Sequence, residues 1–272
     1  RGLLMYHGLG SGKTCSSIAI AEGLKSYRRI IIMTPASLKR NYMEEIKKCG
    51  DLIYRKNQFW EWITTDSNPD LIAPLSAALG LPIDHVKKNR GAWLVNVKKP
   101  SNYNQLSTSD KKSLNAQIDV MIGYKYFFIN YNGLRQSKFM EYTNNLETNL
   151  FDNAVVIIDE AHNLISRIVN NINKFSKFED QKRGPGALLH TKMSLQIYEF
   201  LLRAENCRIV LLTGTPIINY PNEIGILYNI LRGYIKTWSF NINVAGKTVS
   251  KDSILALFSK EKVLDYVDYN NG

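Results

Sequence analysis

The chain of 272 residues lacks any apolar run near the ~18 residues that a membrane-spanning helix requires. No secretory signal pattern is present either, so neither a membrane protein nor an exported one is expected. The first residue is Arg1 and a strand begins almost at once, which reads as an excerpt from a longer polypeptide, with targeting signals elsewhere left open. Cysteine is scarce: Cys15, Cys49 and Cys207 are far apart and odd in number. That argues against a disulfide framework and for an intracellular, reducing compartment. The four histidines, His7, His85, His162 and His190, have no metal-ligand spacing, and internal repeats are absent. Acidic residues are outnumbered, 24 against 35 basic, for a net charge of +11. The excess favours polyanionic partners, although solubility alone would also account for it. What remains is the balance of a globular protein able to bury a core, 44% hydrophobic and 22% charged.

Apolar runs bounded by turn residues predict buried parallel strands at Gly2–His7, Arg29–Thr34 and Val155–Ile158, with another at Arg208–Leu212. Further strand signals fall at Ile118–Ile122 and Phe127–Tyr131. Helices are expected at Thr14–Leu24, from Pro35 through Leu38, Tyr42 and Ile46, at Lys192–Ala204, and at Asn222–Leu231 up to Gly233. Residues from about 51 to 117 are rich in Asn, Lys, Ser and Pro, with Trp60, Trp62 and Trp93 scattered through them. They are read as an insertion, partly helical around Leu71–Leu79. Asn170–Gly186 reads as a loop, and the stretch 234–272 as a connector or the start of a further region. Alternating strands and helices imply βαβ units around a parallel sheet, whose ligands bind outside the carboxyl ends of the strands.

Three motifs fall at such ends. The first, His7-Gly8-Leu9-Gly10-Ser11-Gly12-Lys13-Thr14, resembles the Walker A loop, with His7 in place of its first glycine. The glycines let the backbone aim N–H groups at phosphate, and the following helix adds its positive end. Lys13 would reach the β and γ phosphates of ATP, and the Thr14 hydroxyl would ligate Mg²⁺. The second motif is Asp159-Glu160 leaving an apolar strand. Such a pair suits metal-dependent phosphoryl transfer, with Asp159 on Mg²⁺ and Glu160 activating water, although an isolated pair could be a solvated turn. The third is Thr213-Gly214-Thr215-Pro216.

Asp159-Glu160-Ala161-His162 is the DEAH form of helicase motif II, Thr213–Pro216 resembles motif III, and Thr34-Pro35 resembles motif Ia. Their order and spacing resemble the first RecA-like domain of superfamily 2 helicases, over residues 1–233 apart from the insertion. A narrower likeness lies in Ile129–Leu134, in Asn163 after the DEAH segment, and in Ile217-Ile218-Asn219 followed by Pro221-Asn222. These look like the viral transcription ATPases: the small subunit of the poxvirus early transcription factor and nucleoside triphosphate phosphohydrolase I. Chromatin-remodelling ATPases of the Swi2/Snf2 type are the nearest competitor. The resemblance implies an α/β, RecA-like P-loop fold with helices on both sheet faces. It implies a nucleic-acid-dependent ATPase acting on DNA. His162, Thr213 and Thr215 would couple the γ-phosphate site to the nucleic acid, whose backbone Thr34, Pro35, Tyr131 and Asn132 would touch. It further implies a second RecA-like domain outside this chain, transcription machinery as a partner, no membrane, and a virion and host-cytoplasm location.

Blander readings stand beside these. Thr213 and Thr215 could be ordinary turn residues, and Thr34-Pro35 a helix cap. The basic clusters, such as Lys87-Lys88-Asn89-Arg90, could be solvated faces, and the tryptophans could pack inside the insertion rather than stack on bases. An ATP-binding lobe serving only as an assembly module is the non-motor alternative. A small-molecule kinase is disfavoured by the DEAH and TGTP segments.

Overall fold

The computed structural model describes residues 1–8, 10–175, 191–233 and 250–258. Five parallel strands form the main sheet: β1 (Gly2–Tyr6), β2 (Arg29–Thr34), β5 (Tyr126–Asn130), β6 (Ala154–Ile158) and β7 (Arg208–Thr213). Their order is β1-β7-β6-β2-β5. The interior strands β2, β6 and β7 are near-continuous runs of Ile, Val and Leu, as burial on both faces requires. Ile30, Ile32, Val155, Ile157, Val210 and Leu212 face one side, packing with residues of α1 (Lys13–Leu24), α2 (Lys39–Cys49) and α5 (Thr108–Lys125). Their alternates Ile31, Met33, Val156, Ile158, Ile209 and Leu211 face the other, with α7 (Ala161–Phe175), α8 (Met193–Arg203) and α9 (Asn222–Arg232). The fold is therefore the expected α/β sandwich of a parallel sheet between helical layers.

Several local expectations are corrected. Among the described residues β1 is an edge strand paired only with β7, and not a buried one: Leu3 and Tyr6 are 49% and 59% exposed. Pro35 does not open α2. A turn closed by Leu38 N–H donating to the Pro35 carbonyl (3.0 Å) precedes it, and the helix starts at Lys39. Ile118–Ile122 is helix and not strand. Ser107 caps α5 by accepting from Asp110 N–H, and Leu114, Ile118, Met121 and Ile122 then recur on one buried face. The loop expected from Asn170 begins later, since α7 runs to Phe175; the rest of that expectation lies outside the described residues.

The argument against a disulfide framework is corrected at one pair: Cys15 and Cys49 form a disulfide, with Cα atoms 5.4 Å apart. A separation of 34 in sequence says little about distance when α1 and α2 pack side by side on one face. Cys207 is a free, buried thiol.

The stretch 51–117 contains a small antiparallel ribbon of β3 (Phe59–Thr64) and β4 (Gly91–Asn96), with α3 (Ile72–Leu79) and α4 (Ile83–Asn89) between them. Trp60 and Trp93 are buried in the same cluster as α1, α2 and α5, and Trp93 meets Trp62 edge-on at 5.4 Å. The tryptophans thus anchor the added elements to the sheet's own helical layer. Two compact units are distinguishable, Arg1–Tyr234 and Ile235–Gly272. Within the second, α10 (Lys251–Phe258) is described.

Candidate nucleotide site

The four loops that leave the carboxyl ends of β1, β7, β6 and β2 meet because these strands are sheet neighbours. The phosphate loop turns into α1 at Gly12, whose φ of 79° is a left-handed value favouring glycine. The first turn of α1 therefore presents N–H groups that have no partner within the helix. Lys13 Nζ lies across the loop, donating to the carbonyls of His7 (2.7 Å) and Gly8 (2.8 Å), and Ser11 Oγ closes the turn onto the Gly8 carbonyl at 2.7 Å. A triphosphate would offer this ammonium better acceptors than two exposed carbonyls. Ser17 Oγ, one turn into α1, meets the Thr14 carbonyl and the buried Tyr42 hydroxyl, each at 2.7 Å. Leu9 lies outside the described residues.

Across the sheet, β6 is followed directly by Asp159, whose N–H donates to the Met33 carbonyl of β2 at 2.8 Å. Glu160 then takes a left-handed φ of 46°, an uncommon conformation for a non-glycine residue. Two contacts hold it there. Glu160 N–H donates to Asp159 Oδ1 at 3.1 Å, and the Tyr131 hydroxyl lies 3.0 and 3.1 Å from the carbonyls of Asp159 and Glu160. Burial raises the Asp159 pKa to about 6, the neighbouring Glu160 adding to the effect; hydrogen bonds from Glu160 N–H and Thr34 and the charge of Lys13 oppose it. Among the described residues no basic side chain forms an ion pair with this carboxylate. A carboxylate held charged against that cost, together with a hydroxyl at Thr14, the residue after Lys13 in the first turn of α1, offers hard oxygen donors of the kind Mg²⁺ takes.

The third motif joins the second directly. His162 Nδ1 lies 2.9 Å from Thr213 Oγ1, 3.3 Å from Thr215 Oγ1 and 3.4 Å from Glu160 Oε2. Thr215 N–H donates to Thr213 Oγ1 at 3.1 Å, which fixes the turn. That turn also touches the phosphate loop: a first side-chain carbon at Gly214 would lie 3.4 Å from the His7 carbonyl and 3.9 Å from Lys13 Nζ. Lys13, Asp159, Glu160, His162, Thr213 and Thr215 are therefore assembled around one place.

The four residues expected at a nucleic-acid backbone are not all available. Thr34, Pro35 and Tyr131 are buried; the Thr34 hydroxyl donates to the Pro35 carbonyl at 3.4 Å, and Tyr131 clamps the carboxylate turn. Only Asn132 of the four is exposed. Its carbonyl accepts from the exposed Arg167 at 3.3 Å. Beside it, an open pocket of about 440 Å³ at the end of β5 is lined by Asn130, Gly133, Arg135 and Lys138 among others.

Two features had no signal in the sequence. Arg167 lies on the exposed stripe of an amphipathic helix, like any solvated cation. Glu223 is 1% exposed and accepts from the N–H groups of Ile218 (2.6 Å) and Asn219 (3.2 Å), while Asn219 Nδ2 donates to Ser166 Oγ (2.7 Å). Burial alone would raise its pKa, but these donors bring it below the usual carboxylate range. Glu223 thus ties the segment after the TGTP turn to α7 and α9.

A family model described as "Type III restriction enzyme, res subunit" matches residues 1–217. A candidate ATP-dependent RNA helicase of Acanthamoeba polyphaga mimivirus is 29% identical over 233 residues, 85% of this chain and 29% of that protein. A second such protein of the same virus is 27% identical over 99% of this chain and 26% of its own length. A termination factor NPH-I homolog of African swine fever virus is 26% identical over 86% of this chain and 23% of its own. The chain thus spans under a third of the length of these curated relatives.

Proposed function

The chain belongs to the type III restriction enzyme res subunit family, and on that premise we propose that it is the ATP-binding and ATP-hydrolysing first lobe of a superfamily 2 motor acting on nucleic acid. One observation carries this reading above a generic P-loop hydrolase. His162 bonds both threonines of the TGTP turn and approaches Glu160, so a carboxylate suited to activating water is tied to a loop that leaves the nucleotide site.

In this reading Lys13 and the N–H groups around Gly10, Gly12 and Thr14 bind the β and γ phosphates. Thr14 and Asp159 hold Mg²⁺, which supplies charge neutralisation at the transferred phosphate. Glu160 orients and deprotonates the attacking water. Its left-handed turn, clamped by Tyr131, sets the carboxylate's direction. His162, Thr213 and Thr215 pass the state of that carboxylate to the nucleic-acid face around Asn132 and Arg167. A second RecA-like lobe completes the site, and the relatives' names support a role in viral transcription.

The test is phosphate release by the full-length protein with and without single-stranded DNA, duplex DNA and RNA, beside Glu160→Gln. Nucleic-acid stimulation that the substitution lowers by about 10²–10⁴-fold, with ATP still bound, is expected. ATP binding with no stimulated turnover would replace the motor with an assembly module.

A further inference from the structure

The Cys15–Cys49 pair is not used by the chemistry above, yet it touches the machinery. Cys15 is the third residue of α1, next to Thr14, and Cys49 is the last residue of α2. The disulfide therefore ties the first turn of the phosphate-loop helix to the helix that follows the Thr34-Pro35 turn. Glu45 lies beside both sulfurs, its Oε2 at 3.7 Å from Cys15 Sγ and 3.9 Å from Cys49 Sγ. All three residues are only partly buried.

We propose that Cys15 and Cys49 are a reversible thiol–disulfide site, in exchange with low-molecular-weight thiols and disulfides, whose closure stiffens the first turn of the phosphate-loop helix and tightens nucleotide binding. Both redox states are accommodated. Closed, the Cα separation of 5.4 Å lies within the range disulfides span. Open, either sulfur would have Glu45 Oε2, which lies beside both of them in the bridged state, as an acceptor for its S–H.

Partial exposure lets a small reagent reach the sulfurs. The Cys15 thiolate attacks a low-molecular-weight disulfide and releases one thiolate from it. The Cys49 thiolate then attacks the Cys15 sulfur of the mixed disulfide and expels the second. Two protein thiols are oxidised, the small disulfide is reduced to two thiols, and the two protein protons end on them. Excess small thiol runs the sequence backwards.

The functional arm rests on the nucleotide reading above. The N–H groups of the first turn bind phosphate only while that turn is helical, so holding it in place reduces what must be ordered on binding.

The protein is equilibrated with oxidised or reduced glutathione and examined in four ways. Peptide mapping without reductant should link Cys15 to Cys49 after oxidation, with Cys207 still titrating as a thiol. The melting temperature should rise by on the order of 10 °C on closure, since a cross-link over 34 residues removes much unfolded-chain freedom. Affinity for a fluorescent ATP analogue with Mg²⁺ should rise at least about threefold. Cys49→Ser should abolish both responses and bind the analogue like the reduced wild type.

Equal or weaker affinity after closure overturns the proposal, as does a stoichiometric zinc ion held by Cys15, Glu45 and Cys49 that blocks the link. Were the link to form while neither redox state bound nucleotide, the nucleotide reading would fall and the thiol chemistry would stand. Nucleotide bound by both states with no link formed would sink the thiol site alone.

Discussion

Asp159→Asn should stabilise the nucleotide-free protein at neutral pH and leave it slightly less stable than the wild type in acid. Burial raises the Asp159 pKa from 3.8 to about 6. Between those values the folded chain binds a proton that the unfolded chain has released. Stability is therefore fully present below about pH 4 and is lost as pH rises towards about 6, by roughly 3 kcal/mol in all. Asparagine keeps an oxygen to accept from Glu160 N–H and removes the charge. Its new N–H₂ group must find acceptors beside Thr34, which offsets part of the gain. A net of about 1–2 kcal/mol remains, or a rise of about 2–8 °C in melting temperature at pH 7.5.

The assay is a melting series on wild type and variant from pH 4 to pH 8, without nucleotide or divalent ion. The two curves should cross between about pH 4 and pH 6, the variant melting lower below the crossing and higher above it. A variant that melts lower at pH 7.5, or a difference independent of pH, would refute the reasoning, because the carboxylate would then be stabilised by its surroundings. With Mg²⁺ and ATP added the order should invert, since the ion's charge is what the buried carboxylate lacks.

Tyr131→Phe removes the hydroxyl between the carbonyls of Asp159 and Glu160; leaving them unpaired should lower stability by about 1–3 kcal/mol, read as a drop in denaturation midpoint with unchanged slope. His162→Ala should spare basal phosphate release and cut nucleic-acid stimulation by about tenfold, measured as the ratio of stimulated to basal rates. Loss of both rates in equal proportion would mean that His162 serves Glu160 and not the relay.

The fold was legible where one residue's chemistry sufficed. Runs such as Arg29–Thr34 and Ala154–Ile158 have one physical use, strands buried on both faces, and their order places Lys13 and Asp159 at the same end of the sheet. Legibility fails where a side chain's role depends on what the fold brings opposite it. Ile118–Ile122 is apolar enough for a strand, and only the Ser107 cap and the recurrence from Leu114 make it helix. Gly2–His7 carries the composition of an interior strand but lies at the edge, a position fixed by which strands pair and not by its own residues.

The same limit explains the site. The motifs identified Glu160, His162, Thr213 and Thr215 as types, but Tyr131 could not be seen as the clamp on the carboxylate turn, because a tyrosine after a strand is equally suited to stacking on a ligand. Its burial at 4% exposure, with the hydroxyl turned inward, decides between the two. Thr34 moves for the same reason, from an expected nucleic-acid contact to a buried side chain whose presence favours the charged form of Asp159. Both shifts have one direction. Residues expected to face a polyanion instead pack at the acidic turn, so in the proposed reading a nucleic-acid face falls to what stays exposed, Asn132 with Arg167 and the pocket edge at Arg135 and Lys138.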